Sequence, residues 1–135
     1  MPRASHASAP IAADYGPVSE RTAHLDDTYT VNFVTFHVDG DHAPLLKGLP
    51  DDACQCPHWG YVLSGLFTVR YTSGVQEQLA AGDAFYLPPG HVPSVIAGTE
   101  IVLISPTDQL ELTEAAMQAN MNNVRTGTSS TPTTS

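Results

Sequence analysis

Two cysteines and a histidine occur at alternate positions near the middle of the chain, at Cys54, Cys56 and His58. In an extended strand, side chains two residues apart point to the same face. Two sulfurs and an imidazole would then converge, and Asp52 would continue the row if the strand reaches it. Thiolate and imidazole groups at short range are ligands that zinc and iron accept. The spacing therefore predicts a site for one divalent transition-metal ion, zinc or iron.

A second histidine, His91, follows the turn sequence Pro88-Pro89-Gly90. A turn that brings His91 opposite the first segment would complete a set of two sulfur and two nitrogen ligands. Four protein ligands are typical of structural zinc, whereas catalytic zinc has three protein ligands and an open position. Ligand number therefore distinguishes an enzyme from a binding or sensing module. A different interpretation stays open, in which the cysteines fill a core and the histidines bond to backbone groups.

The segments that must position these residues have the composition of β-strands. Clusters of Gly and Pro separate short runs that are rich in β-branched and aromatic residues, a pattern typical of an antiparallel sandwich or barrel. Ser73-Gly74 predicts a two-residue hairpin turn. The predicted strands cover 28–38, 59–63, 66–71, 75–79, 84–87, 92–97 and 100–105.

One helix is expected near the end of the chain, over about 109–122. Leu110, Met117 and Met121 fall on one face of it, and Asp108 begins a sequence that resembles a capping box. The regions outside the strands and helix are small, polar and aperiodic. The predicted organisation is an N-terminal arm over 1–27, a domain with its C-terminal helix over 28–123, and a disordered tail over 124–135.

Two glycine-containing segments resemble the motifs of the cupin superfamily. Gly82 is followed after five residues by Pro88-Pro89-Gly90, and Tyr61-Val62-Leu63-Ser64-Gly65 precedes a further predicted strand. The resemblance covers roughly residues 31–105. It implies an all-β fold, a double-stranded β-helix or jelly-roll barrel, with the C-terminal α-helix added. It also implies a metal ion within the barrel and isomerase, lyase or dioxygenase chemistry on a small organic molecule, by analogy of fold.

The metal-binding positions of these motifs depart from the family pattern. Counting back from Gly65, His58 stands where the family has glutamate, and Cys56 stands at no ligand position. The two usual histidine positions hold Asp52 and Cys54 with the family's shorter spacer, and Asp51 and Ala53 with its longer spacer. In the second motif, His91 lies two residues before the usual histidine position. The resemblance therefore implies a rearranged site. The alternative to an enzyme is a non-catalytic small-molecule-binding or sensing cupin with a structural metal or no metal.

The composition of the chain limits its partners. The 135 residues fit one domain, and 14 acidic against 5 basic residues give a net charge of −9. Such a chain repels phosphate backbones and anionic lipids, so neither nucleic acid nor a membrane is an expected partner. No secretory signal or membrane-spanning run is present in the sequence, and the cysteine pair is too close for an unstrained disulfide. A reducing cytoplasm is the expected location.

The predicted pocket is mostly apolar and suits a small neutral or weakly polar organic ligand. Exposed strand edges need covering, and the N-terminal arm is long enough to reach a neighbour, so we expect a homodimer. His6, His24 and His42 lie in polar or irregular segments and are expected to be solvated. The side chains expected to line the pocket are His37, Trp59, Tyr61, Phe85 and Tyr86, with Phe33 as a further aromatic candidate.

Overall fold

The computed structural model describes residues 3–126, and its side chains as far as residue 122. These residues form strands and one long C-terminal helix, so the all-β class with an added helix is confirmed. The strands are β1 Ile11–Asp14, β2 Val18–Leu25, β3 Tyr29–Phe36, β4 Gly40–Asp41, β5 His58–Ser64, β6 Leu66–Tyr71, β7 Gln76–Ala80, β8 Ala84–Leu87, β9 His91–Val95 and β10 Glu100–Pro106.

Two antiparallel sheets make the barrel. The larger has the order β1-β2-β3-β10-β5-β8 and the smaller the order β4-β9-β6-β7. Strands distant in sequence are neighbours in both sheets, as in a jelly roll. Ser73-Gly74 lies in the turn between β6 and β7 as predicted, but the connection spans residues 72–75 and is longer than the predicted two residues. The inner faces of the two sheets meet in one core cluster, formed by Val34, Phe36, Val62, Phe67, Val69, Leu87, Val95 and Ile101.

The segment before residue 28 corrects the expectation of a loosely held arm. Strand β2 pairs with β3 along its full eight residues, and β1 pairs with β2. The sequence hides this strand because Glu20, Thr22 and His24 occupy its cavity-facing positions, where a buried strand usually carries apolar residues. On the outer face of the sheet, Ala9 packs against Ala23 and other apolar residues.

Helix α1 spans Thr107–Thr126 and covers one end of the barrel. It begins two residues earlier than predicted, where the Thr107 N–H donates to the carbonyl oxygen of Thr28 at 2.9 Å. The Asn120 amide donates to the carbonyl oxygens of Leu45 and Lys47 at 2.7 and 2.9 Å and holds the helix on a short 3₁₀ turn over residues 43–46. Because the helix extends to Thr126, residues 124–126 of the predicted tail are helical. The rest of that tail, 127–135, lies outside the described residues. Among the described residues, no helix has the apolar length that crossing a membrane requires.

Candidate metal centre

Backbone pairing brings Cys54 to His91. The Cys54 N–H donates to the His91 carbonyl oxygen at 2.9 Å, and the Gly90 N–H donates back to the Cys54 carbonyl oxygen at 2.8 Å. This isolated bridge is formed at His91, the first residue of β9. His58, the first residue of β5, supplies the third side chain. Two neighbouring positions of the chain, Cys54 and His58, thus meet His91, which is distant in sequence, at the same place.

The donor atoms of Cys54, His58 and His91 form a compact group. All lie within 4.8 Å of one another, and the Cys54 sulfur is 3.6 Å from Nε2 of His58. The three residues are only 4%, 6% and 1% exposed. A tetrahedral zinc ion, bonded to sulfur at ~2.3 Å and to nitrogen at ~2.0–2.1 Å, separates those two atoms by about 3.6 Å. The residues present therefore fit a transition-metal ion in donor type and in spacing.

Hydrogen bonds orient both imidazoles. Nδ1 of His91 lies 2.8 Å from the Pro88 carbonyl oxygen, which can only accept, so Nδ1 carries the proton and Nε2 keeps a free lone pair. Nδ1 of His58 lies 2.6 Å from the Ser105 hydroxyl, and its Nε2 is directed to the Cys54 sulfur. Metal-binding histidines usually have such a partner on the nitrogen that does not bind the ion. The arrangement favours Nε2 as the ligand atom in both rings.

Burial sets the protonation of the three groups. Desolvation, with a smaller contribution from His91, lowers the pKa of His58 to about 3. Burial likewise lowers the pKa of His91 and raises the pKa of the Cys54 thiol. In the metal-free protein near neutral pH, both imidazoles are therefore neutral and the thiol holds its proton. An ion bound here has to displace only the thiol proton.

Cys56 corrects the four-ligand expectation, because it lies outside this group. Strand β5 begins at His58, so residues 54–57 are irregular and the alternation of strand faces does not hold across them. The Cys56 sulfur lies 3.4 Å from the Pro57 carbonyl oxygen, in an apolar cluster with residues that include Leu46 and Leu110. Burial raises the pKa of this thiol to about 12. Asp52 is exposed in the preceding turn and is not part of the group.

The three donors lie on the wall of a cavity of about 550 Å³. The inner face of the larger sheet forms one side, and residues of α1 such as Leu110 and Met117 form another. Leu110, Met117 and Met121 all face this cavity, as their shared helix face predicted. The cavity has the size of an ordinary small-molecule site and combines apolar walls with a few polar groups.

The residues predicted to line the pocket lie elsewhere. His58 points inward, so its strand neighbour Trp59 points outward, where it pairs with Tyr86 at a ring separation of 5.1 Å. Trp59, Tyr61 and Tyr86 are 44%, 43% and 48% exposed. None of the predicted lining residues borders the cavity: Trp59, Tyr61 and Tyr86 lie on the outer face, Phe85 packs in the core beside Phe67, His37 is exposed beside Ser19, and Phe33 packs with the outer cluster that contains Ala9.

Several polar residues that the sequence did not indicate do line the cavity. His42 packs against Phe36 at a ring separation of 5.3 Å, and burial lowers its pKa. His24 lies at the cavity edge, where Nδ1 is 3.0 Å from the Thr30 hydroxyl. The expectation of a solvated side chain is therefore wrong for His42, whereas His24 is exposed as expected. If residues 18–25 had been interpreted as a strand, the alternation of side chains would have placed the polar residues Glu20, Thr22 and His24 on one face. The remaining polar lining comes from Tyr15, Glu20, Thr22, Thr30, Asn32, Glu111, Thr113, Glu114 and Gln118.

Comparison with known proteins identifies the architecture. No family model matches the sequence, and no curated protein does either. Among solved structures, an RmlC-like cupin from Shewanella frigidimarina is 20% identical, with 71% of this chain and 82% of that chain covered and a TM-score of 0.53. The polyketide cyclase RemF from Streptomyces resistomycificus is 17% identical, with 78% and 79% covered and a TM-score of 0.53. KdgF from Halomonas sp. is 23% identical, with 72% and 86% covered and a TM-score of 0.53. At these identities the likeness establishes the fold alone.

Proposed function

We propose that this small cupin-fold domain binds one divalent transition-metal ion, zinc or iron, through Cys54, His58 and His91, and uses it in an enzyme reaction on a small organic molecule. The observation that carries the proposal is the donor count. Three protein donors lie together on a cavity wall, and Cys56 is outside the group. Three protein ligands leave a coordination position for water or substrate, as catalytic sites do.

The surrounding residues would hold the ligand atoms and keep bulk water away. Ser105 and the Pro88 carbonyl oxygen fix the two imidazole rings, as their hydrogen bonds at 2.6 and 2.8 Å indicate. Helix α1 covers the cysteine, with Thr113 4.0 Å from the Cys54 sulfur. When bound, the ion would act as a Lewis acid or lower the pKa of a bound water. That chemistry suits an isomerase, a lyase or a dioxygenase.

The cavity supports a small organic ligand. Its volume of about 550 Å³ lies in the usual range of small-molecule sites, and its walls include Phe67, Leu87 and Ile101. A similar fold serves an enzyme in at least one structural neighbour, which is described as a polyketide cyclase. That neighbour supports the view that the fold can carry catalysis, and the reaction of this chain has to be found by experiment.

Metal analysis tests the proposal. The protein is purified without added metal, and elemental analysis should find about one equivalent of zinc or iron per chain, as one closed ligand set holds one ion. The double variant His58→Ala/His91→Ala should lose it. A matched control, Cys56→Ala, should retain it, because that sulfur is outside the group. Full metal content in the double variant would contradict the proposal, and loss in the control would favour the four-ligand structural alternative.

We further propose that two copies pair through the outer face of the larger sheet. Trp59 lies beside Tyr86 on one side and Ile104 on the other, so the apolar surface crosses three strands. Strand β8 is the edge of this sheet, and an edge beside an apolar surface suits continuation by a second copy. The outer aromatic face is defined as Trp59, Tyr61, Leu63, Tyr86 and Ile104, which are all exposed.

A further inference from the structure

A strip of polar residues lies on the cavity wall away from the metal centre. Glu20 and Thr22 on β2 and Asn32 on β3 face the cavity, and we call them the polar strip. Thr22 and Asn32 are direct partners in the pairing of the two strands. Glu114 of helix α1 lines the same cavity. A barrel wall normally carries apolar residues at such inward positions. The presence of polar side chains there therefore needs a physical explanation.

Asn32 has an unused hydrogen-bond acceptor in this strip. Its side chain is only 3% exposed, and its Nδ2 donates to the Thr22 hydroxyl at 2.8 Å. Its Oδ1 accepts no hydrogen bond from any residue in 3–122. A buried polar atom without a partner costs stability and is uncommon in native structures. The free acceptor points to a ligand group that donates a hydrogen bond.

Glu20 adds negative charge to the same wall. Burial, and then the charge of Glu114, raise the pKa of Glu20 to about 7, so neither solvent nor a neighbour compensates its charge fully. The lining residues among those described include no lysine or arginine. The adjacent Arg21 points to the other face of the sheet, where it donates to the Ala9 carbonyl oxygen at 2.6 Å. The carboxylate therefore lacks a cationic partner from the cavity wall.

We propose that the molecule bound in this cavity carries a primary ammonium group, which lies against Glu20 and Asn32 while its other end reaches the Cys54/His58/His91 centre. This inference rests on the proposed function for its metal-binding end. An ammonium group has three donors and no acceptor, so it can donate to Oδ1 of Asn32 and to the Glu20 carboxylate together. Hydrogen bonds between an ammonium and a carboxylate are charge-assisted and stronger than neutral ones.

The sheet order sets the length of such a ligand. Asn32 is on β3 and His58 on β5, with β10 between them, so two strand spacings separate Asn32 from the strand that carries His58. Two spacings of about 4.8 Å amount to roughly 10 Å along the sheet. A chain of about five or six carbons joins groups at that distance. The ligand class is an ω-amino acid or a related amine with a metal-binding oxygen at its other end.

Calorimetry with a matched series of compounds tests the proposal. The probes are 6-aminohexanoate, 6-hydroxyhexanoate and hexanoate, added to the zinc-loaded protein. We expect 6-aminohexanoate to bind about tenfold or more tightly than the other two, the effect of one net charge-assisted hydrogen bond. Glu20→Gln and, as a second variant on helix α1, Glu114→Gln should reduce this preference. Glu100→Gln, a matched change outside the cavity lining, should leave it intact.

Metal-free protein separates this inference from the proposed function. Hexylamine and hexanol probe the polar strip without a metal-binding group, and hexylamine should again bind more tightly. One outcome is that this preference holds while zinc adds nothing to the affinity for 6-aminohexanoate. In that case the polar strip does bind an ammonium group, and the proposal that the ligand also contacts a metal ion at the Cys54/His58/His91 centre is wrong. Equal affinities for the amine and the alcohol, or a preference unchanged in both glutamate variants, would overturn the inference.

Discussion

The backbones of Cys54 and His91 are hydrogen-bonded to each other, so a thiol from one irregular segment and an imidazole from the start of β9 are fixed side by side. The Cys54 N–H donates at 2.9 Å and the His91 N–H returns a longer bond at 3.3 Å. His58 completes the group from a third element. Since backbone pairing holds two of the three donors, the group is preorganised rather than assembled by the ion, which is the usual requirement of a precise site.

The two cysteines should differ in their contact with metal. In cobalt-loaded protein, Cys54→Ser should lose the sulfur-to-metal charge-transfer absorption, because only this sulfur lies within reach of both histidines. Cys56→Ser serves as its matched control and should keep the absorption. A spectrum that depends on both cysteines would show that Cys56 also binds the ion.

Metal affinity should rise with pH. The Cys54 thiol, whose pKa is raised by burial, must lose its proton to bind, whereas His58, with a pKa of about 3, is already neutral. Release of one proton per ion makes the affinity increase about tenfold per pH unit below the thiol pKa. Competition with a chelator at pH 6, 7 and 8 measures this slope. An affinity independent of pH would mean that no thiol proton is displaced.

Removal of the Ser105 hydroxyl should weaken metal binding without removing a ligand. Ser105 lies 2.6 Å from Nδ1 of His58, and loss of such a partner typically lowers metal affinity about 10–100-fold. Ser105→Ala should show this decrease in chelator competition. Ser64→Ala removes a hydroxyl that donates to the Gly98 carbonyl oxygen and provides the control. Equal affinities of the two variants would show that Ser105 does not orient the ring.

Glu20 should make the protein less stable as pH rises. Its folded-state pKa of about 7 is above the usual 4.5, so the folded protein holds the proton more tightly than the unfolded chain. The resulting stabilisation is present below about pH 4.5 and is lost as the pH approaches 7. The other titratable groups in this part of the cavity are Tyr15, His24, Glu111 and Glu114.

The variant Glu20→Gln should therefore stabilise the protein only at the higher pH. We expect its melting temperature to exceed that of the parent by about 3 °C or more at pH 8 and to match it near pH 4.5. Thermal unfolding in the two buffers measures the difference, with Glu100→Gln as control. The same shift at both pH values would show that the charge of Glu20 is not the cause.

A charge placed in the outer aromatic face should disrupt the proposed dimer. Trp59→Lys puts a cation at the centre of this face, beside Tyr86, and should convert a dimer into monomers in light scattering. Val75→Lys introduces the same charge at an exposed apolar residue between β6 and β7 and should not. A parent protein that is monomeric at micromolar concentration would contradict the dimer itself.

The sequence determined the elements of this protein wherever local signals were strong. Gly82 and Pro88-Pro89-Gly90 indicated the barrel, and the helix face of Leu110, Met117 and Met121 was visible because helical spacing is local. The short spacing from Cys54 to His58 also indicated two of the three donors. Each of these inferences used residues close together in the chain, where geometry follows from the element alone.

Tertiary structure decided which side chains meet. His91 joins the site through a backbone bridge to Cys54, and Cys56 is excluded because the chain is irregular until β5 begins. Neighbouring residues of a strand point to opposite faces, so the inward position of His58 places Trp59 on the outer face. Glu20 reaches the cavity only through the pairing of β2 with β3. The composition of β2 did not predict a strand, because the inner face of β2 borders a cavity and carries polar residues instead of the apolar residues of a packed core.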